Sequence, residues 1–257
     1  MTNDVGLWAL LLGSAFGAGV LNAVAGGGSF LTFPALVAAG VPPIAANATS
    51  ALAVSPGYLG STLGFRSELA ALPRSLLWRE AAIAALGGVA GALLLLVTPA
   101  KLFAGVVPWL LLFATVLFAL GPQLSRWAAA GRTDTASTHG SARAVGLLVV
   151  SVYGGYFNGG LGILLMALYT VLGERELTTV NALKNLCSLV LSLLSVAAFV
   201  LAGVIVWQQG IAMMMAATAG GYWGAHWSRL LPVLWLRRGV IGIGLAMTVA
   251  FFLKNQG

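Results

Sequence analysis

Ten apolar stretches occupy most of this chain, at residues 5–25, 29–40, 44–65, 80–98, 101–121, 143–157, 161–173, 178–204, 207–227 and 237–253. A helix needs about 20 apolar residues to cross the hydrocarbon core of a bilayer. Inside that core every backbone N–H and C=O must find a partner within the protein. The stretches 44–65, 80–98, 101–121, 178–204, 207–227 and 237–253 are long enough to span without a break. The chain therefore reads as an all-α polytopic membrane protein. Its composition agrees, with 60% apolar residues and 7% charged ones, against about 25% charged in a soluble domain. A soluble enzyme, a disordered protein and a nucleic-acid binder are excluded on that ground. Met1-Thr2-Asn3-Asp4 lacks the basic start of a cleavable leader, so the first apolar stretch is expected to be structural.

The polar segment 122–142 divides the chain into similar halves. The first contains Asn22, Gly26-Gly27-Gly28, a short apolar piece, Gly40 and Asn47-Ala48-Thr49-Ser50. The second contains Asn158-Gly159-Gly160-Leu161-Gly162, a short apolar piece, Gly173 and Asn181-Ala182-Leu183-Lys184-Asn185. Each half reads as a helix broken at glycines, a half-helix, a turn, and three long helices. Gly-interrupted segments at matching places in two halves point to the binding site of a secondary transporter.

Charge placement selects the topology. If 5–40 and 143–173 each enter and return as a re-entrant hairpin, Arg66, Arg74, Arg79, Arg126, Arg132, Arg143, Arg175, Arg229, Arg237 and Arg238 share one face. Only Lys101 and Lys254 lie on the other. Positive charge gathers on the cytoplasmic side of membrane proteins. With single crossings at the breaks the bias disappears. The expected plan is two inverted repeats, residues 1–121 and 143–257. Each has one hairpin plus three spans, the 122–142 linker is cytoplasmic, and both termini are extracytoplasmic. The expected location is the cytoplasmic (inner) membrane.

The candidate site lies at the two breaks and on the helices after them. Gly26, Gly27 and Gly28, with Gly159, Gly160 and Gly162, let the backbone turn at membrane depth. Helix ends exposed there present free N–H groups to anions. Asn22, Ser29, Asn47, Thr49, Ser50, Asn158, Asn181 and Asn185 supply hydrogen bonds. Lys184 sits within an apolar run, and a charge in that position marks a functional site by default. The acidic residues Asp4, Glu68, Glu80, Asp134, Glu174 and Glu176 are expected at span ends or in loops. A carboxylate proton relay is thereby disfavoured and a small anionic ligand favoured. No cofactor and no metal site are expected, since Cys187, His139 and His226 form no ligand set.

Two stretches resemble the signatures of the sulfite and organosulfonate exporter family (TauE/SafE type). The first runs from Gly19 and Asn22 through Gly26-Gly27-Gly28, Pro34 and Gly40 to Ala46-Asn47-Ala48-Thr49-Ser50. The second runs from Tyr153-Gly154-Gly155 through Gly160-Leu161-Gly162 and Gly173 to Asn181-Ala182 and Lys184. Asn158 and Val180 depart from the family pattern, which has a glycine and an alanine there. The resemblance implies a permease, not an enzyme, exporting sulfite, sulfonates or related small anions. Alternating access would take place around a midplane site between the hairpin tips. The expected partners are the anion and the lipid bilayer, with homo-oligomers permitted and nucleic acid excluded. The alternatives are a passive anion channel and an intramembrane serine hydrolase using Ser29 and His226, which lacks an acid partner.

Overall fold

The computed structural model describes residues 2–24, 28–130, 139–174, 176–227 and 233–255, and every element among them is a helix. They are α1 (Thr2–Val24), α2 (Ser29–Ala38), α3 (Pro43–Gly64), the short α4 (Arg66–Ala70), α5 (Arg74–Val97), α6 (Ala100–Ala130), α7 (His139–Tyr156), α8 (Leu161–Val171), α9 (Leu177–Leu201), α10 (Trp207–Trp227) and α11 (Val233–Asn255). Val5–Asn22, Arg74–Val97, Ala100–Gly121 and Leu177–Leu201 are long and apolar enough to cross a membrane. At 22 and 21 residues, α3 and α10 have comparable length. The row of Asn47, Thr49, Ser50, Ser55, Ser61 and Thr62 makes α3 more polar. Leu86, Leu94, Leu102, Trp109 and Phe113 are exposed on the outside of the bundle, which suits a surface facing lipid rather than water.

Several element limits differ from those read in the sequence. The span expected at 80–98 begins earlier, at Arg74, directly after Pro73, whose fixed φ of −57° suits the residue before a helix. Glu80 therefore lies in the second turn of α5 instead of at its end. The linker at 122–142 is narrower, because α6 continues to Ala130 and α7 starts at His139. The stretch 123–130 holds no Gly or Pro to stop a helix. By itself α1 reaches spanning length, about 34 Å at 1.5 Å per residue, whereas α2 with 10 residues is a half-helix.

The turns after the two half-helices match. At Gly40 φ is +85° and at Gly173 it is +90°. In each, the next residue's N–H reaches back five residues, Val41 to the Leu36 carbonyl and Glu174 to the Tyr169 carbonyl. This left-handed C-terminal motif favours glycine.

The packing has the same exchange pattern. Along its length α1 packs against α10, as α5 does against α7; α3 meets α10 and α9, α5 meets α9, α6 meets α8 and α11, and α2 meets α11. Exchanging α1 with α7, α2 with α8, α3 with α9, α5 with α10 and α6 with α11 preserves these pairings. The interlocks repeat in detail. A Cβ on Gly19 would strike the Ala217 carbonyl, and one on Gly220 the Phe16 carbonyl. A Cβ on Gly155 would strike the Gly88 carbonyl, and one on Gly91 the Val152 carbonyl. Small residues let the backbones touch, which is how apolar helices associate in lipid. Inside, Phe33 of α2 contacts Phe157 edge-on at 5.5 Å and stacks near Phe251 of α11 at 6.2 Å, anchoring the first half-helix against the second half.

Candidate functional site

Four of the residues expected at the site meet around one small space. Asn22 comes from α1, Gly162 from α8, and Lys184 and Asn185 from α9; Gly57, Tyr58 and Ser61 of α3 and Ser188 of α9 complete it. Both halves of the chain contribute. The space measures about 20 Å³, roughly the room of one water molecule.

Local sequence places each group. The first break ends α1 at Val24, two residues after Asn22, and the Asn22 Oδ1 accepts the Gly28 N–H at 2.7 Å. A Cβ on Gly28 would lie 2.7 Å from the Ala18 carbonyl and 2.8 Å from the Asn22 amide nitrogen, so the bond requires glycine. Lys184, Asn185 and Ser188 share a face at one-turn spacing on α9. The Lys184 stem passes Gly162, where a Cβ would stand 3.8 Å from its Cδ. Among the described residues no carboxylate pairs with the Lys184 ammonium; the ion pairs present belong to Arg143. The Ser188 Oγ is fully buried and has no hydrogen-bond partner. One cation, two amides and unfilled hydroxyl capacity with no competing acid suit an oxyanion.

The other expected residues lie elsewhere or have partners. Buried Asn158 accepts the Tyr58 hydroxyl at 3.1 Å through Oδ1, backing the space. The Gly159 carbonyl accepts the Tyr153 hydroxyl at 2.6 Å, and Gly160 turns with φ +77° to start α8. Asn47 donates to the Tyr156 carbonyl at 3.1 Å, tying α3 to the second break. The Thr49 Oγ1 accepts the Val206 N–H at 3.0 Å, and Ser50 shares a 2.6 Å hydrogen bond with Thr32. Ser29 is buried in the first turn of α2. Asn181 donates to the Leu177 carbonyl of its own helix at 2.9 Å. Gly26 and Gly27 lie outside the described residues, as does the side chain of His226.

A larger cavity of about 460 Å³ adjoins this space and shares Asn22, Gly57 and Ser61 with it. Its other walls are Gly19 of α1, Val54, Pro56 and Gly60 of α3, and Ala217, Thr218, Gly221 and Tyr222 of α10. These walls run from the middle of α3 and of α10 toward their C-terminal ends. The first third of α9 stands beside that end of α3, whereas Thr49 in the first third of α3 bonds Val206 just past α9. The two helices therefore run in opposite directions.

Sequence reasoning did not assign Tyr58, which carries no pattern of its own, and it placed Glu80 at the edge of the bundle. Glu80 is fully buried. Its Oε1 accepts the Arg143 Nε–H at 2.7 Å and its Oε2 accepts the Tyr169 hydroxyl at 2.7 Å. Arg143 also donates to Glu174 at 2.8 Å and lies over the Tyr169 ring, 5.3 Å from its centre. Tyr169 further meets the Cys187 Sγ at 3.1 Å. The cluster fastens α5, α7, α8 and α9 together; only charged residues far apart in sequence announce it.

Long apolar helices with outward-facing leucines and a cation enclosed between the two halves define a multi-pass membrane protein. The profile of the family described as Sulfite exporter TauE/SafE matches residues 11–251, and the chain belongs to that family. It is 32% identical to a "Probable membrane transporter protein" of Haemophilus influenzae, over 99% of this chain and 98% of the relative. It is 29% identical to the "Probable membrane transporter protein YfcA" of Escherichia coli, over 84% of this chain and 80% of the relative. No solved structure matches it. The protein is a membrane transporter and not an enzyme, which sets aside the hydrolase reading of Ser29.

Proposed function

We propose that the protein is a secondary transporter of small anions of the sulfite and organosulfonate class. The anion binds where the small polar space meets the 460 Å³ cavity. The observation that carries this reading is Lys184, a cation without an ionic partner among the described residues, beside Asn22, Asn185 and an unpartnered Ser188. An oxyanion head exceeds the room of a single water, so it takes the junction of the two spaces and the flexible Lys184 stem follows it. Thr49, Ser50, Asn47 and Asn181 hold helices in place around this point, while Asn158, Gly159, Gly160 and the Gly26-Gly27-Gly28 break shape its walls.

The transport cycle is alternating access between two inverted repeats, each a broken hairpin plus three spans. The exchange pattern of helix packing and the opposite directions of α3 and α9 support this plan. With the Arg-rich loops inside and both termini outside, the cavity walls at the ends of α3 and α10 face the cytoplasm. The cytoplasmic membrane then supplies a driving force for export, about 2.3 kcal/mol per charge per 100 mV of inside-negative potential.

Replacement Lys184→Ala in proteoliposomes should weaken sulfite or sulfonate uptake on the order of 10-fold or more, the scale of a lost charged hydrogen bond. Unchanged saturable uptake would remove Lys184 from the site. A Gly131→Cys variant should react with membrane-impermeant maleimide only in inside-out vesicles; reaction from outside would overturn the orientation.

A further inference from the structure

We infer that the cavity between α1, α3 and α10 is a tail subsite, so that the transporter selects anions carrying a short apolar organic group over inorganic oxyanions. This rests on the reading of the Lys184 junction as the anion site. The polar groups gather at one end of the combined space: Asn22, Lys184, Asn185 and Ser188 around about 20 Å³. The other end is about 460 Å³ and is walled mainly by Gly57, Gly60, Val54, Pro56 and Ala217; of its further polar walls, Thr218 donates its hydroxyl to the Met214 carbonyl at 2.8 Å and Tyr222 is largely exposed. An inorganic oxyanion held at the junction leaves that larger volume and its apolar walls unused. A sulfonate whose head sits at the junction directs its carbon chain into it, because Asn22, Gly57 and Ser61 border both spaces.

The specificity-determining position is Gly60. It lines the large cavity but not the polar space. A Cβ there meets nothing within 4 Å. Counting from the Asn-Ala pairs that open each helix, residue 47 onward and residue 181 onward, Gly60 matches Leu194. The first half thus has a glycine on the cavity wall where the second carries a leucine.

The test is binding of sulfite, methanesulfonate, propanesulfonate and hexanesulfonate to the purified full chain in nanodiscs. The expected series rises by about threefold to fourfold per methylene until the cavity is filled. Gly60→Leu should flatten that rise and leave sulfite binding unchanged; Gly60→Ala should reduce it partly. Both replacements exchange the poorest helix former after proline for good ones, so folding should survive. Sulfite binding as tightly as propanesulfonate, or a flat series in the native chain such as a resident lipid tail would give, overturns the tail subsite while leaving the anion site standing. Absence of binding by every anion, together with no effect of Lys184→Ala, would overturn the anion site itself.

Discussion

The two flanks of the bundle are built alike and packed differently. On one, α1, α3 and α10 surround a 460 Å³ cavity. On the other, the matching helices α7, α9 and α5 are closed together. The matching residues make the contrast concrete. Gly57 lines the cavity, whereas Leu191, its counterpart, is fully buried, and a Cβ on Gly88 would meet the Leu191 backbone. Ser61 lines the cavity, whereas Ser195, its counterpart, is buried and donates to the Gly88 carbonyl at 3.0 Å. One flank open and one shut is the arrangement that the proposed alternating access would require at any moment. The closed flank alone carries the Glu80–Arg143–Glu174 cluster.

The largest effect should come from breaking that cluster. Replacement Arg143→Ala strands fully buried Glu80 without its cation, a change that costs about 3–5 kcal/mol when one partner of a buried pair is removed. Thermal unfolding in detergent should show a large drop. Replacing Arg143 by Met and Glu80 by Leu together should recover most of it, since an apolar pair of similar volume is often neutral. If Arg143→Ala left stability unchanged, the cluster would not be what holds the closed flank.

Next in size is the packing difference itself. Leu191→Ala removes a side chain with no exposure and should cost about 2–5 kcal/mol, as large-to-small core changes do. At the matching site Gly57→Ala adds a methyl whose nearest neighbour outside the helix's own backbone is the Asn22 amide nitrogen at 3.6 Å, an ordinary contact, and helix propensity favours alanine by about 1 kcal/mol. Stability should therefore fall for one and hold or rise for the other. Equal losses would mean that the first flank is as tightly packed as the second.

The sequence made the frame of this comparison legible and left its asymmetry hidden. Apolar run lengths located the helices, since a bilayer admits few other structures. The glycine turns at Gly40 and Gly173 were readable because a left-handed backbone selects glycine. Lys184 stood out as a charge in an apolar run, and Asn185 and Ser188 share its helix face. Asn47, Thr49 and Ser50 looked equally polar, yet they spend their hydrogen bonds on Tyr156, Val206 and Thr32. Partners 18 to 157 residues away leave no local pattern. Glu80 was misplaced for the same reason: its helix start depends on Pro73, and its partners Arg143 and Tyr169 come from other helices. Which flank is open is a property of packing between halves, and periodicity within one helix does not record it.

The smallest perturbation gives the most direct view of the asymmetry. Ser61→Cys and Ser195→Cys place a thiol of nearly serine's size at matching positions, one on the cavity wall and one against Gly88. The native thiol, Cys187, is fully buried, so background labelling by a small maleimide should be slow. The Cys at position 61 should react at least about 10-fold faster than the Cys at 195, a ratio equivalent to a difference of about 1.4 kcal/mol in the cost of exposure. The Ser195→Cys variant should lose only about 1 kcal/mol of stability, the net worth of one hydrogen bond. Transport turns this into a sharper comparison, because a cycling carrier must open the second flank as it closes the first. During sulfonate exchange the two rates should approach each other. A ratio that stays fixed during measured flux would mean that the flanks do not alternate, and the passive channel would then account better for the movement of the anion.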